Sequence, residues 1–190
     1  MPRPYWEIIS GCWFVFWVYW SLGVLGIRAP KRKVSFAFTV LNTGLLYIGF
    51  VLVLAGHMGP QPLALRFTSD TTWIDGAGTV LVVAGIALAI WSRRVLGANW
   101  SGAVKITENQ HLICIGPYAV VRNPIYTGIA LAVFGTALVA GTVAGVIGFA
   151  LVVVSFWLKG RREERLLLVE FGDEYAAYRA RTKSMIPFIL

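Results

Sequence analysis

Long apolar runs alternate with short polar segments along most of this chain. Runs of about 20 residues with few or no charges are long enough, as helices, to cross a bilayer core about 30 Å thick. The pattern predicts an all-α, polytopic integral membrane protein with about five transmembrane helices. These are expected at Trp6–Ile27, Phe36–Gly56, Ile74–Trp91, Ile125–Ala140 and Thr142–Leu158.

The fourth and fifth runs are short, and little more than Gly141 separates them. The pattern predicts a helical hairpin, and it leaves open whether both helices cross the bilayer fully. Gly141 and Gly145 form a GxxxG pair with Gly148 nearby, and small residues at this spacing favour close helix packing.

Polar and apolar residues also alternate at helical spacing in the C-terminal tail. A helix is expected from about Arg161 to the residues before Gly172, and a second, amphipathic helix is expected after it. Phe171, Tyr175 and Tyr178 recur at i, i+4 and i+7, which places three aromatic rings on one face. This face is expected to dock onto the protein or onto the membrane surface.

The distribution of Lys and Arg predicts the orientation of the chain. Positive residues accumulate on the cytoplasmic side of membrane proteins. The alternate segments assigned to that side carry 15 of these residues, and the segments on the other side carry 2. The N-terminus is therefore expected outside and the C-terminus in the cytoplasm. The net charge of +8 fits this bias and attraction to anionic lipid headgroups, so membrane lipids are expected partners and nucleic acid is not.

Composition supports a membrane protein with one domain. Only 14% of the residues are charged, against about 25% in ordinary soluble domains. No soluble segment is long enough to form its own core, so residues 1–190 are taken as a single domain. Residues 1–92 hold the three N-terminal helices, and residues 93–190 hold most of the polar motifs.

The chain offers few metal ligands. Its two histidines, His57 and His111, lie on opposite sides of the membrane in the predicted topology, and Cys12 is far from Cys114. No ligand cluster has normal spacing, so no metal site is expected.

Most of the possible chemistry lies in the polar stretch from Asn99 to Tyr126. Asn123 is a good helix N-cap and Pro124 suits the first helical position, so the fourth helix is predicted to begin here. Its free backbone N–H groups suit an anionic group, and Arg122 adds a bidentate donor. The alternative is a capped helix with a snorkelling arginine.

A second candidate lies at the end of the fifth apolar run. Lys159 and Glu163 are four residues apart and share one helix face. They form either a salt-bridge face at the membrane surface or a site where the acid accepts hydrogen bonds from a ligand and the lysine attracts an anion.

These motifs occur in a distinctive order: NWS, a polar residue-x-Leu-aliphatic, Gly-x-Tyr, Arg-x-Pro-x-Tyr-x-Gly, a membrane hairpin, and Glu-Glu followed by FGDEYAAYR. In this order the sequence resembles the isoprenylcysteine carboxyl methyltransferase family from Gly97 to Phe188, about half of the chain. The resemblance implies a helical membrane enzyme that binds S-adenosylmethionine on the cytoplasmic side and methylates the carboxylate of a lipidated cysteine.

The resemblance also implies the site residues. The cofactor pocket would be formed by the loop before the fourth helix and by the C-terminal helices, within residues 93–190. Arg122 and Lys159 would orient the substrate carboxylate, Lys159 standing where the family usually has arginine. The cofactor would contact Gln110, His111, Leu112, Ile113, Tyr118, Asn123, Pro124, Ile125, Tyr126 and Glu163.

Two positions depart from the family pattern. Gln110 stands where the family usually has a histidine, and Asn123 replaces the histidine of Arg-His-Pro. Glutamine and asparagine keep hydrogen-bonding capacity but do not titrate. Cofactor binding can survive these changes, and the identity of the acceptor is what they leave open.

The expected function is that of an S-adenosylmethionine-dependent carboxyl O-methyltransferase. Its acceptor would be a prenylcysteine-like or other isoprenoid or lipid molecule entering from the membrane. A carboxylate is ionised at neutral pH, so no general base is needed. The alternatives are a phospholipid N-methyltransferase, a non-catalytic or reductase-like membrane relative, and a structural membrane protein. The sequence gives no oligomeric state.

Overall fold

Helices account for nearly all of the regular structure in the described residues. The computed structural model describes residues 4–23, 35–68, 71–97 and 112–185. Short 3₁₀ turns occupy Gly56–Met58 and Gly116–Ala119. The helices are α1 (Pro4–Leu22), α2 (Phe36–Ala55), α3 (Thr72–Leu96), α4 (Pro124–Ala140) and α5 (Val143–Arg181). The all-α class predicted from the apolar pattern is confirmed.

Three of the described helices, α2, α3 and α5, are long and apolar enough to cross a membrane. The chain is therefore an integral membrane protein. Helix α4 is apolar but has 17 residues, which is about 26 Å at the usual helical rise. Helix α1 ends at Leu22, before the predicted Ile27, which lies outside the described residues. A total of five crossings stays a prediction.

The last helix extends the fifth apolar run into the tail. That run was expected to end at Leu158 and a tail helix to begin at about Arg161, with Lys159 and Glu163 on one helix face. Helix α5 has 39 residues and carries all of them, so Lys159 and Glu163 lie on one helix as expected. The expected division of the tail at Gly172 is also present: Gly172 has φ 50° and kinks α5, a backbone conformation that glycine adopts without a Cβ clash.

Helices α3 and α4 touch backbone to backbone. A Cβ added at Gly128 of α4 would lie 2.6 Å from the carbonyl oxygen of Gly85, and one added at Gly78 of α3 would lie 2.7 Å from that of Gly135. In lipid, where burial of apolar surface gives little drive, such close contact is a main source of helix association.

Helices α2 and α5 meet in the same way. A Cβ added at Gly49 would lie 2.8 Å from the carbonyl oxygen of Gly148. Packing was expected from the Gly141–Gly145 pair, but Gly141 (φ 60°) forms the turn between α4 and α5. Gly145 faces α4, where an added Cβ would lie 3.4 Å from the Ala137 carbonyl oxygen, and Gly148 makes the closer contact with α2.

Helix α1 makes polar contacts with α3 and α4. The Trp13 Nε1 in the middle of α1 donates to Thr136 Oγ1 of α4 at 3.0 Å. Near the C-terminal end of α1, the Arg93 guanidinium of α3 donates to the carbonyl oxygens of Tyr19 and Trp20 at 3.2 and 3.3 Å. These contacts hold the middle and the C-terminal end of α1 against the bundle.

Replacing Gly85 with alanine is expected to destabilise the bundle, because the new methyl group overlaps the Gly128 carbonyl oxygen. Overpacking of this kind costs about 1–3 kcal/mol. Gly76→Ala on the same helix is the control, since nothing lies within 4 Å of its added Cβ. Thermal unfolding in detergent, followed by circular dichroism, measures both; equal melting temperatures would contradict the close α3–α4 contact.

Candidate active site

The candidate site lies where α4 begins beside the polar half of α5. The stretch that leads into it, residues 112–123, is here called the site loop, and residues 182–185 are called the C-terminal segment. The backbone N–H groups of Arg122 and Asn123 donate to the carbonyl oxygens of Lys183 and Ser184 at 2.8 and 2.9 Å. The end of the chain described by the structure is thereby paired with the loop.

Tyr126 stands at the centre of the site. Its hydroxyl donates to Glu163 Oε2 at 2.7 Å, and its ring stacks on Phe156 with centroids 4.8 Å apart and planes inclined by 10°. The Lys159 Nζ lies 5.4 Å from the Tyr126 ring centroid. One turn of α4 and two turns of α5 thus bring together a phenol, a carboxyl group and an ammonium group.

The neighbouring acid, Glu164, has different partners. Its Oε1 accepts from Arg122 Nε at 2.9 Å and from Ser184 Oγ at 3.1 Å. The ion pair is nearly closed to solvent, with side-chain exposures of 10% for Arg122 and 8% for Glu164. The Arg122 Nη1 donates to the carbonyl oxygens of Arg179 and Thr182. Arg122 therefore binds the end of α5.

Asn123 begins α4 as predicted, since Pro124 is the first helical residue. The N-cap pattern also implied a capping hydrogen bond from the Asn123 side chain, and this bond is not present. The Nδ2 donates instead to Ser184 Oγ at 3.1 Å. An added Cβ at Gly160 would lie 3.4 Å from this Nδ2, so α5 passes close to the start of α4.

The site loop is anchored through Tyr118. This residue is buried, and its carbonyl oxygen accepts from the Tyr178 hydroxyl at 2.7 Å. Burial, followed by the nearby charge of Glu163, raises the pKa of Tyr118. Burial likewise raises the pKa of Tyr178. Both phenols are therefore neutral at physiological pH.

The predicted aromatic face of the tail docks onto the protein. Tyr175 and Tyr178 are 1% and 4% exposed, and their ring centroids are 5.9 Å apart. Of the two surfaces proposed for this face, the structure places these two rings against the protein.

Of the other predicted site residues, some lie within the described part of the chain and some do not. Leu112 and Ile113 are half-buried in the site loop. Gln110 and His111 lie outside the described residues. Pro124 and Ile125 are buried in the first turn of α4. Among the residues that the structure describes, no group of three or more His, Cys, Asp or Glu side chains could hold a metal ion.

Sequence reasoning missed three members of the site. Phe156, which stacks on Tyr126, had no motif to identify it. Ser184 and Thr182 bind partners about 60 residues away, and no local pattern signals such contacts. Glu164 did carry a local signal for its separate role. It is adjacent to Glu163, and adjacent residues point about 100° apart on a helix, so the two acids meet different neighbours.

Comparisons with known proteins place the chain among methyltransferases. The family model described as phospholipid methyltransferase matches residues 74–174. The protein-S-isoprenylcysteine O-methyltransferase of Rattus norvegicus is 31% identical over 122 residues, which is 62% of this chain and 43% of that protein. Protein-S-isoprenylcysteine O-methyltransferase B of Arabidopsis thaliana is 29% identical over 120 residues, 62% of this chain and 61% of that protein. The chain thus matches only about half of the length of these relatives.

The fold is also found in a solved membrane enzyme. The eukaryotic intramembrane Ras methyltransferase ICMT superposes with a TM-score of 0.59 at 22% identity, covering 100% of this chain and 69% of that chain. At this level of identity the likeness establishes the fold alone.

Tyr178→Phe is expected to loosen the site loop, because it leaves the buried Tyr118 carbonyl oxygen without this donor. The loss of one such hydrogen bond costs about 1 kcal/mol, or about 2–4 °C in melting temperature for a chain of this size. Tyr47→Phe is the control, since Tyr47 is 71% exposed on α2. If thermal unfolding places both variants at the wild-type temperature, this anchor contributes nothing to stability.

Proposed function

Because this chain belongs to the phospholipid methyltransferase family, we propose that it is a membrane methyltransferase that uses S-adenosylmethionine and methylates a carboxylate of a prenylcysteine-like or other isoprenoid lipid. The observation that carries the proposal is the grouping of Glu163, Tyr126 and Lys159, in which the Tyr126 hydroxyl binds the acid and the cation lies 5.4 Å from the ring centroid.

The residues present fit the methyl donor. S-adenosylmethionine offers hydroxyl and amine donors, a carboxylate and a sulfonium cation. Glu163 would accept hydrogen bonds from the donors. The first-turn N–H groups of α4, to which the Asn123 side chain makes no bond, suit the carboxylate. The rings of Tyr126 and Tyr118 suit a cation. When bound, S-adenosylmethionine supplies an electrophilic methyl group.

The donor contacts are proposed on both sides of this grouping. The site loop and the first turn of α4 would form one wall, and α5 the other. We propose as donor-binding residues Gln110, His111, Leu112, Ile113, Tyr118, Asn123, Pro124, Ile125, Tyr126 and Glu163.

Lys159 is proposed to orient the acceptor carboxylate. It is the first charged residue after the apolar run of α5, so a lipid tail can stay among apolar helices while its head group reaches the lysine. A carboxylate is ionised at neutral pH, and the protein's task is to align it and to exclude water. The other cation expected here, Arg122, is already bound to Glu164 and to two backbone carbonyl groups.

The site is proposed to face the cytoplasm. The excess of Lys and Arg in the segments next to it supports this orientation. Residues 93–190 would form the catalytic half, and residues 1–92 would support it within the bilayer.

A phospholipid N-methyltransferase is the second candidate, favoured by the description of the matching family. Its acceptor is an amine, which must be deprotonated before it attacks a methyl group. An ammonium group beside the acceptor would repel the protonated amine, so Lys159 favours an acid. Turnover of prenylated cysteine acids against phosphatidylethanolamine distinguishes the two.

Glu163→Ala is expected to weaken binding of S-adenosylhomocysteine by about tenfold or more, since it removes a charged hydrogen-bond acceptor worth about 1.5–3 kcal/mol. Calorimetric titration of the detergent-purified protein measures the change. Glu170→Ala, an exposed acid on the same helix, is expected to bind like the wild type. Absence of saturable binding to the folded wild type would refute the proposed function.

Lys159→Ala is expected to raise the KM for a prenylated cysteine acid by about tenfold or more, because a charged hydrogen bond to the carboxylate is lost. Affinity for S-adenosylhomocysteine should stay within about twofold. Arg165→Ala, an exposed cation on the same helix, is the control. An unchanged KM in the Lys159 variant would remove this residue from the acceptor site.

A further inference from the structure

The C-terminal segment is bound to the site loop by a dense set of hydrogen bonds. Besides the two backbone bonds from Arg122 and Asn123, the Thr127 Oγ1 donates to the Met185 carbonyl oxygen at 2.6 Å. Ser184 Oγ accepts from Asn123 Nδ2 and donates to Glu164 Oε1, at 3.1 Å each. Loop, segment and α5 are therefore joined through one serine hydroxyl.

Arg122 holds the same three elements from the other side. Its Nε binds Glu164 on α5, and its Nη1 binds the carbonyl oxygens of Arg179 and Thr182. The Arg179 carbonyl group belongs to the last turn of α5, where the helix itself supplies no donor, and the Thr182 carbonyl group begins the C-terminal segment. A guanidinium can bind a carboxylate and two carbonyl groups at once because its N–H groups form a rigid fork, which a lysine lacks.

The contacts close a ring that includes the backbone at the start of α4. Arg122, Glu164, Ser184 and Asn123 are linked in sequence by hydrogen bonds and by the peptide bond between Arg122 and Asn123. The ring fixes the side of α5 that carries Glu164, and Glu163 is the adjacent residue. It therefore sets how α5 is rotated about its axis relative to Tyr126.

We propose that Arg122 is a positioning residue, which fixes the backbone from Asn123 to Tyr126 and the direction of Glu163 by holding the C-terminal segment against the site loop. This inference rests on the proposed function, because the arrangement it preserves is the one assigned to the methyl donor. Arg122 acts through Glu164 and the segment and touches neither substrate.

The inference separates Arg122 from an arginine that binds the acceptor. A residue that binds the acceptor carboxylate affects the KM for the acceptor and leaves donor affinity unchanged. A residue that positions the pocket for the methyl donor affects donor affinity and leaves the KM for the acceptor unchanged. It also depends on its partner: once Glu164 has been changed, a change at Arg122 should add little.

The test compares Arg122→Gln, Glu164→Gln and the double variant with the wild type. Calorimetry with S-adenosylhomocysteine is expected to show each single change weakening affinity on the order of tenfold or more, and the double variant weakening it no further than the more severe single change. The KM for the acid acceptor, measured at saturating donor, should stay within about twofold. Arg179→Gln is the control, because it removes the same charge from an exposed side chain in the same tail.

A milder variant and a direct structural measurement complete the test. Ser184→Ala removes the bridging hydroxyl without leaving a buried charge, and it should weaken donor affinity several-fold in a folded protein. Hydrogen exchange in the absence of any ligand should show faster exchange of the Asn123 amide in the Arg122→Gln variant, with α3 amides unchanged.

The outcomes distinguish this inference from the proposed function. If the wild type binds no S-adenosylhomocysteine, both are overturned. If the wild type binds it and the Arg122 and Ser184 variants bind it equally well, only the inference is overturned. A raised KM for the acceptor with unchanged donor affinity in Arg122→Gln would assign this arginine to the acceptor instead.

Discussion

The site depends on a buried ion pair between Arg122 and Glu164. Removing either partner would leave a charge out of contact with water, which is far more costly than losing a surface pair. The pair also separates the tasks of two adjacent acids. Glu164 is committed to the guanidinium, and Glu163, about 100° further round the helix, is left on the side of Tyr126 and Lys159. Under the proposed function, Glu164 serves as framework and the adjacent Glu163 binds the ligand.

Beneath this polar end, the bundle is held by glycine contacts between backbones. Gly128 lies two residues after Tyr126 and packs directly on Gly85, so the first turn of α4 rests on a contact that cannot slide without steric overlap. On the other side, α5 is fixed against α2 by Gly148 and Gly49. Helices α4 and α5, which carry the candidate site, therefore pack on different neighbours, α3 and α2.

The sequence predicted the helices best where their ends carry a local signal. The boundaries of α2 and α4 lie within a residue of prediction, because apolar runs, Pro124 and Gly141 mark them. The four-residue spacing of Lys159 and Glu163 predicted that both lie on one helix, and α5 carries both. The motif order predicted that Tyr126, Lys159 and Glu163 belong to one site. The partners of Arg122 and Asn123 lie about 40 to 60 residues away and leave no local pattern.

Because α5 continues from the apolar bundle into the polar site, it fixes the distance between two groups of the proposed enzyme. Lys159 and Glu163 lie one turn apart on this helix, about 6 Å along its axis. If α5 tilts in a thinner or thicker bilayer, both groups move together and their separation does not change. Acceptors with tails of different length would therefore differ in how deeply they sit in the membrane, while the gap that the methyl group has to cross stays constant.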